Sequence, residues 1–127
     1  MKFVKLFLIS LLIMTIAFYT GREFYYNYTI SKNETLIQEN PDNVQAYSDI
    51  AWSALYKFPK NPDLAIKNFN NALKIDPEKA DFYFGLGLAY LNKNQTNSAI
   101  ENFNKAKEIN PDYSKKVNNI LKTINKK

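Results

Sequence analysis

One segment of this chain is written twice. Ala65-Ile66-Lys67-Asn68-Phe69-Asn70-Asn71-Ala72-Leu73-Lys74-Ile75-Asp76-Pro77 returns as Ala99-Ile100-Glu101-Asn102-Phe103-Asn104-Lys105-Ala106-Lys107-Glu108-Ile109-Asn110-Pro111, with eight of thirteen positions identical. The identical residues include the small and apolar ones at i, i+1, i+4 and i+7, the spacing of one buried helical face. Each copy is therefore an amphipathic helix. The copies lie 34 residues apart, and a fixed period of that size belongs to stacked supersecondary units, not to one closed globule.

The other half of the unit lies between the copies. Tyr83, Leu86, Gly87 and Tyr90, followed by Ala99, Phe103 and Pro111, reproduce the aromatic-x2-L-G-x2-Y, A-x3-F, P pattern of the tetratricopeptide repeat. Residues 78–111 thus resemble that family closely, and 42–77 less so. There Tyr47, Ile50, Ala51 and Ala54 fill the equivalent places, and Pro41 to Pro77 spans 36 residues where Pro77 to Pro111 spans 34. The extra two residues fall in the loop Lys57-Phe58-Pro59-Lys60-Asn61-Pro62, where an insertion leaves the helix pair intact.

Helix starts have a common spelling. Asn40-Pro41-Asp42, Asn61-Pro62-Asp63, Asp76-Pro77-Glu78 and Asn110-Pro111-Asp112 each place a capping residue before a proline that needs no N–H at the first helical position. The acid that follows suits the positive end of the helix dipole. All four are expected to open helices. Gly87 in mid-helix costs about 1 kcal/mol against alanine, which close approach of the partner helix would offset. The pattern supplies no such reason for Gly85.

Ahead of the repeats, Met1-Lys2-Phe3-Val4-Lys5 leads into the apolar run Leu6 to Phe18, interrupted only by Ser10 and Thr15. With Phe3, Val4 and Tyr19, roughly 17 residues are available, the lower edge of a bilayer span and also the size of a signal-peptide core. Residues 1–21 are read as a transmembrane anchor, with a signal cleaved near Ala17 as the alternative. The aromatics Phe18, Tyr19, Phe24, Tyr25, Tyr26 and Tyr28 suit a helix leaving the membrane through its interface. The basic N-terminus is then expected in the cytoplasm and the repeats outside it. Residues 22–41 read as a covering helix, since Thr29, Asn33, Leu36 and Pro41 only loosely follow the second-helix pattern.

At the other end, residues 112–127 place Val117, Ile120, Leu121 and Ile124 like a first helix without its partner. Lys115, Lys116, Asn118, Asn119, Lys122 and Asn125 give it the polar face that terminates a stack. The expected fold is all-α: a short α-solenoid of two helix-turn-helix repeats plus capping helices, about six helices in all, preceded by an N-terminal membrane or signal helix.

Reactive chemistry is scarce. The chain has no His and no Cys, so imidazole bases, thiol nucleophiles, disulfides and a lipid-modified cysteine are absent. Its three glycines, Gly21, Gly85 and Gly87, form no phosphate loop. The carboxylates sit at helix starts or on polar faces. No catalytic residue, metal site or cofactor is expected, and the chain is read as a non-enzyme. Net charge is +5, but Lys2, Lys5, Arg22 and Glu23 flank the apolar run and the remaining lysines are scattered among acids, so nucleic acid is not an expected partner. Asn27-Tyr28-Thr29, Asn33-Glu34-Thr35 and Asn94-Gln95-Thr96 fit the N-glycosylation pattern, as chance would provide in so asparagine-rich a chain.

Removing the packing positions from the first helix of each repeat leaves a stripe, Ser48, Trp52 and Tyr56, matched by Phe84, Leu88 and Asn92. Resemblance to tetratricopeptide repeats implies that this inner face is a groove for a segment of a partner protein, with the membrane as second partner through residues 1–21. Cover by the N-terminal helix, or by each other, is the competing reading for Trp52 and Phe84. The family's basic clamp for acidic C-terminal tails has no counterpart in Ser48, Trp52, Phe84 or Leu88. The expected role is a scaffold at the membrane contributing contacts to an envelope or secretory assembly. Self-association and service as an accessory subunit of an envelope enzyme are the alternatives.

Overall fold

The computed structural model describes residues 2–57 and 59–124, and these form six α-helices, one 3-10 turn and no strand. α1 spans Lys2–Glu39, α2 Val44–Tyr56, α3 Pro62–Ile75, α4 Ala80–Asn92, α5 Thr96–Ile109 and α6 Ser114–Ile124; the 3-10 turn is Pro111–Tyr113. Met1, Phe58, Asn125, Lys126 and Lys127, which figure in the sequence reading, lie outside the described residues. Each helix packs chiefly on its successor, and α2 also touches α4. Short loops between packed neighbours make successive helices antiparallel, and the result is a short α-solenoid. The α2–α3 loop, 57–61, is two residues longer than the α4–α5 loop, 93–95, which locates the insertion where the two copies diverge.

The repeated spelling builds the core. Ala65, Phe69 and Ala72 on α3, and Ala99, Phe103 and Ala106 on α5, are all fully buried. One cluster joins α3 to Ala51, Ala54, Leu55, Phe82, Leu86 and Ala89; a second joins α5 to Phe84 and Val117. Burial of each ring contributes roughly 1.5–3 kcal/mol. Gly87 has the expected reason, since a Cβ there would overlap the Phe103 ring, with three ring carbons at 2.9 Å or less. Gly85 proves to have one too. Its Cβ would overlap Phe69 of the preceding unit, three ring carbons lying at 2.8 Å or less.

The proline expectation needs correction. Pro62 opens α3, with Asn61 Oδ1 accepting the Leu64 N–H at 3.0 Å, and Pro111 opens only the 3-10 turn. Pro41 and Pro77 open no helix. The residue before proline is driven out of the helical region, as Asp76 shows at φ −127°, ψ 86°. Between packed helices the chain must also reverse, and proline suits the second position of a turn. Accordingly the Asn43 N–H donates to the Asn40 carbonyl at 3.1 Å, and α2 starts afterwards, capped by Asn43 Oδ1 on the Ala46 N–H at 3.0 Å. α4 starts behind Lys79 with no side-chain cap.

α1 runs without a break through Gly21 and joins two environments. Its C-terminal part packs on α2, with Asn33 buried and its Nδ2 donating to the Thr29 carbonyl at 2.8 Å. That asparagine holds the place of Phe69 one unit earlier. Its N-terminal part touches no other helix; the large apolar side chains from Phe3 to Tyr19 are each at least 50% exposed. With a mean hydropathy of 2.1 over its most apolar window, α1 is long and apolar enough to cross a membrane.

Candidate functional site

The stripe on α2 and α4 divides by burial. Ser48 and Phe84 lie below the surface, Trp52 and Leu88 are half-buried, and Tyr56 and Asn92 are exposed. The Trp52 indole meets the Phe69 ring edge-on, with centroids 5.1 Å apart, and stacks on Tyr56 at 5.9 Å and 17°. One aromatic edge is therefore anchored in the core while the adjoining face stays open. Leu88 packs against both core clusters, as Trp52 does, which brings the two side chains to the seam between the units. Asn92 Nδ2 donates to the Leu88 carbonyl at 2.8 Å, and its Oδ1 accepts from Lys60 Nζ at 3.1 Å.

Phe84 is closed by residues that follow the second repeat. Its ring lies 5.5 Å from that of Phe103 and 5.1 Å from that of Tyr113, and Lys116 Nζ stands 4.3 Å from its centroid. Lys116, read from sequence as part of a solvated outer face, thus covers an aromatic through a cation–π contact. What remains accessible of the six residues is an apolar strip of Trp52, Tyr56 and Leu88, with the Asn92 amide at its end. Such a strip offers hydrophobic contact and amide hydrogen bonds, not acid–base chemistry. A surface hollow away from the stripe, lined by Tyr83, Tyr90, Ser98 and Asn102 among others, is open to solvent and of mixed polarity.

Tyr113 was not singled out by the sequence reading. Its hydroxyl donates to the Asp81 carboxylate at the start of α4. The two residues are 32 apart, close to the repeat period, which is the one signal that sets them side by side. Partial burial, then the hydrogen bond and negative charge of Asp81, push the Tyr113 phenol up from 10.0 to about 12. The folded chain holds this proton more tightly than the unfolded one, so the contribution to stability is complete below pH 10 and is lost towards pH 12. In an absorbance titration of the full chain, one tyrosine is expected to ionise late in that window, and Tyr113→Phe to remove the late phase. A titration with no late phase would contradict the contact.

Of the three glycosylation-pattern asparagines, Asn33 is buried, Asn27 lies within α1 and accepts from Lys57 Nζ at 3.2 Å, and Asn94 sits in the α4–α5 turn at φ 59°.

Two family models match the chain: a TPR repeat over residues 61–94 and a tetratricopeptide repeat over residues 80–113. No curated protein matches it. Among solved structures, MamA superposes with a TM-score of 0.64 at 23% identity, covering 68% of this chain and 49% of that one. YrrB, described as a TPR protein with an unusual peptide-binding site, gives 0.63 at 22%, covering 68% and 44%. A second MamA structure, labelled MSR-1, gives 0.63 at 18%, covering 78% and 55%. The chain spans about half the length of these structures, and at such identities the likeness is one of fold.

Proposed function

We propose that this chain, which carries tetratricopeptide repeats over residues 61–113, is a protein-interaction module that works at a membrane, held by α1, with the repeats outside the cytoplasm and a segment of a partner protein seated along α2 and α4. The fold typically serves as a scaffold and not as a catalyst. The observation that carries the binding surface is the Trp52–Tyr56 stack, one ring seated on Phe69 and the other 56% exposed. Tryptophan and tyrosine anchors dominate interface energetics because they bury large area with little entropy to lose. Phe84 belongs to the core cluster on which Trp52 and Leu88 pack, and Ser48 is buried one turn before Trp52. Asn92, exposed at the end of the strip, would offer its amide to an extended backbone there. For the placement, the support is the exposed apolar length of α1 and the lysines at its start. An envelope or secretory assembly is the setting such a placement implies.

The test is co-purification of the tagged full chain from solubilised membranes, compared with Trp52→Ala and Tyr56→Ala. Truncating a hot-spot aromatic is expected to weaken partner recovery about thirtyfold, the equivalent of a 2 kcal/mol loss. Trp52 also packs on the core, so Tyr56→Ala is the cleaner variant and should leave the melting temperature unchanged. Undiminished recovery of the same proteins by both variants would remove this strip from the mechanism.

A further inference from the structure

Alternation of helix direction divides the charged residues of the solenoid between two edges. α1 runs from its apolar half towards Glu39, α2 returns, and each later helix reverses again. The α2–α3 loop, the α4–α5 loop and the end of α6 therefore share the edge nearest the apolar half of α1. Side-chain contacts tie this edge together: Lys57 Nζ to Asn27 of α1 at 3.2 Å, Lys60 Nζ to Asn92 at 3.1 Å, and Lys93 paired with Asp63. Its loops and adjoining α2–α6 turns carry Lys57, Lys60, Lys93 and Lys122, with Asp63 the one acid among the described residues there. The opposite edge carries Asp42, Asp76, Glu78, Asp81, Glu108 and Asp112, with lysines interspersed. Helix dipoles do not account for this difference, because starts and ends of helices alternate along both edges.

The basic edge also lies at a definite height. Asn27 is eight residues beyond Tyr19 on one unbroken helix, which places it roughly 12 Å past the end of the apolar run. The headgroup layer is roughly 5–7 Å deep on each side, so Asn27 stands just above it, within about one Debye length of its surface. Because α1 is both the apolar helix and a member of the stack, and each later helix packs beside its predecessor, the loops on this edge face the same side as the apolar half of α1.

We infer that the α2–α3 and α4–α5 loops and the end of α6 form a basic edge that rests on the anionic headgroups of the bilayer entered by α1. This rests on the anchored reading above and adds the lipid class and the orientation. Each lysine at such a surface biases the contact about fivefold. Lys57 and Lys60 donate to amide oxygens, of Asn27 and Asn92, while Lys93 shares its charge with Asp63.

The chain has no cysteine, so single-cysteine labelling can read the orientation directly. Gln95→Cys, in an exposed turn of the basic edge, and Glu78→Cys, in an exposed turn of the other, are labelled with a fluorophore in the full chain. Each is reconstituted in phosphatidylcholine vesicles, with and without phosphatidylglycerol, containing a headgroup nitroxide quencher. Quenching at position 95 is expected to rise about fivefold or more with anionic lipid and to fall back at 0.5 M salt or with Lys57→Gln, Lys60→Gln and Lys122→Gln combined. Position 78 should not respond. Equal quenching at both positions, or a response at 95 indifferent to lipid charge, overturns the basic edge while leaving the anchor intact. Failure of the chain to float with either vesicle overturns the anchor itself, and the orientation with it.

Discussion

Phe69→Ala is expected to cost about 3–5 kcal/mol, a large share of the 5–15 kcal/mol typical of a folded domain. The ring is fully buried and holds together three helices: its own, Trp52 of α2 edge-on, and the α4 backbone at Gly85. Gly85 has no side chain to offer the vacated space. The reciprocal change is also expected to destabilise. Gly85→Ala gains about 1 kcal/mol of helix propensity but forces a methyl into a ring that cannot retreat, an overpacking cost of typically 1–3 kcal/mol and more where the overlap is this deep. The double variant Phe69→Leu/Gly85→Ala should then lose less than the two single changes combined, as residues in contact do. Thermal or urea unfolding of the full chain in detergent measures all of these. A Gly85→Ala protein more stable than the parent would dismiss the close approach.

The second large effect concerns α1. Leu12→Arg places a charge at the centre of the apolar run, where insertion is disfavoured by roughly 2.5–3.5 kcal/mol on the translocon scale, near a hundredfold or more in the insertion equilibrium. Leu12 is 59% exposed and belongs to neither core cluster, so the melting temperature of the repeats should not move. The parent is expected to resist alkaline extraction at its uncleaved mass, with added protease removing the repeats from intact cells; the variant should appear in the soluble fraction. A parent found soluble and shortened near Ala17 would instead make it a secreted module.

Legibility in the sequence followed where each residue's partner lies. Ala65, Phe69 and Ala72 and their copies on α5 could be read because a repeated helix buries a repeated face. Gly87 could be read because its partner, Phe103, lies in the same unit. Gly85 could not, since its partner belongs to the preceding unit and the first repeat has Asp49 at that position. By the 36-residue offset, Asn33 stands where Phe69 would one unit earlier, so the ring that demands a glycine at position 85 has no counterpart on α1. Pro41 and Pro77 misled because a turn and a helix start share one spelling, and only the need to reverse direction between packed helices decides. On the stripe, spacing identifies a helix face but not what lies over it, so Phe84 stands beside Trp52 as a groove candidate, with cover as the competing reading for both, and the structure closes Tyr113 and Lys116 on Phe84. The polar residues of the terminal helices, Ser31, Lys32, Glu34 and Thr35 on α1 and Lys115, Asn118, Asn119 and Lys122 on α6, are exposed. They disfavour growth of the stack by added copies, which weighs against self-association end to end.

On the anchored reading proposed above, the unbroken course of α1 also sets how the strip on α2 and α4 would search for a partner. No proline precedes Pro41, and Gly21 lies within the helix, so a rod and not a flexible tether joins the apolar half to the repeats. A tether lets a domain sweep a volume that grows with its length and lowers its effective concentration at any one point. A rod anchored as proposed would confine the strip to a thin slab above the bilayer and leave only lateral diffusion and rotation about the membrane normal. Partners presented at that height would meet it at high local concentration and in nearly the right attitude, whereas taller or shorter ones would be excluded by geometry alone.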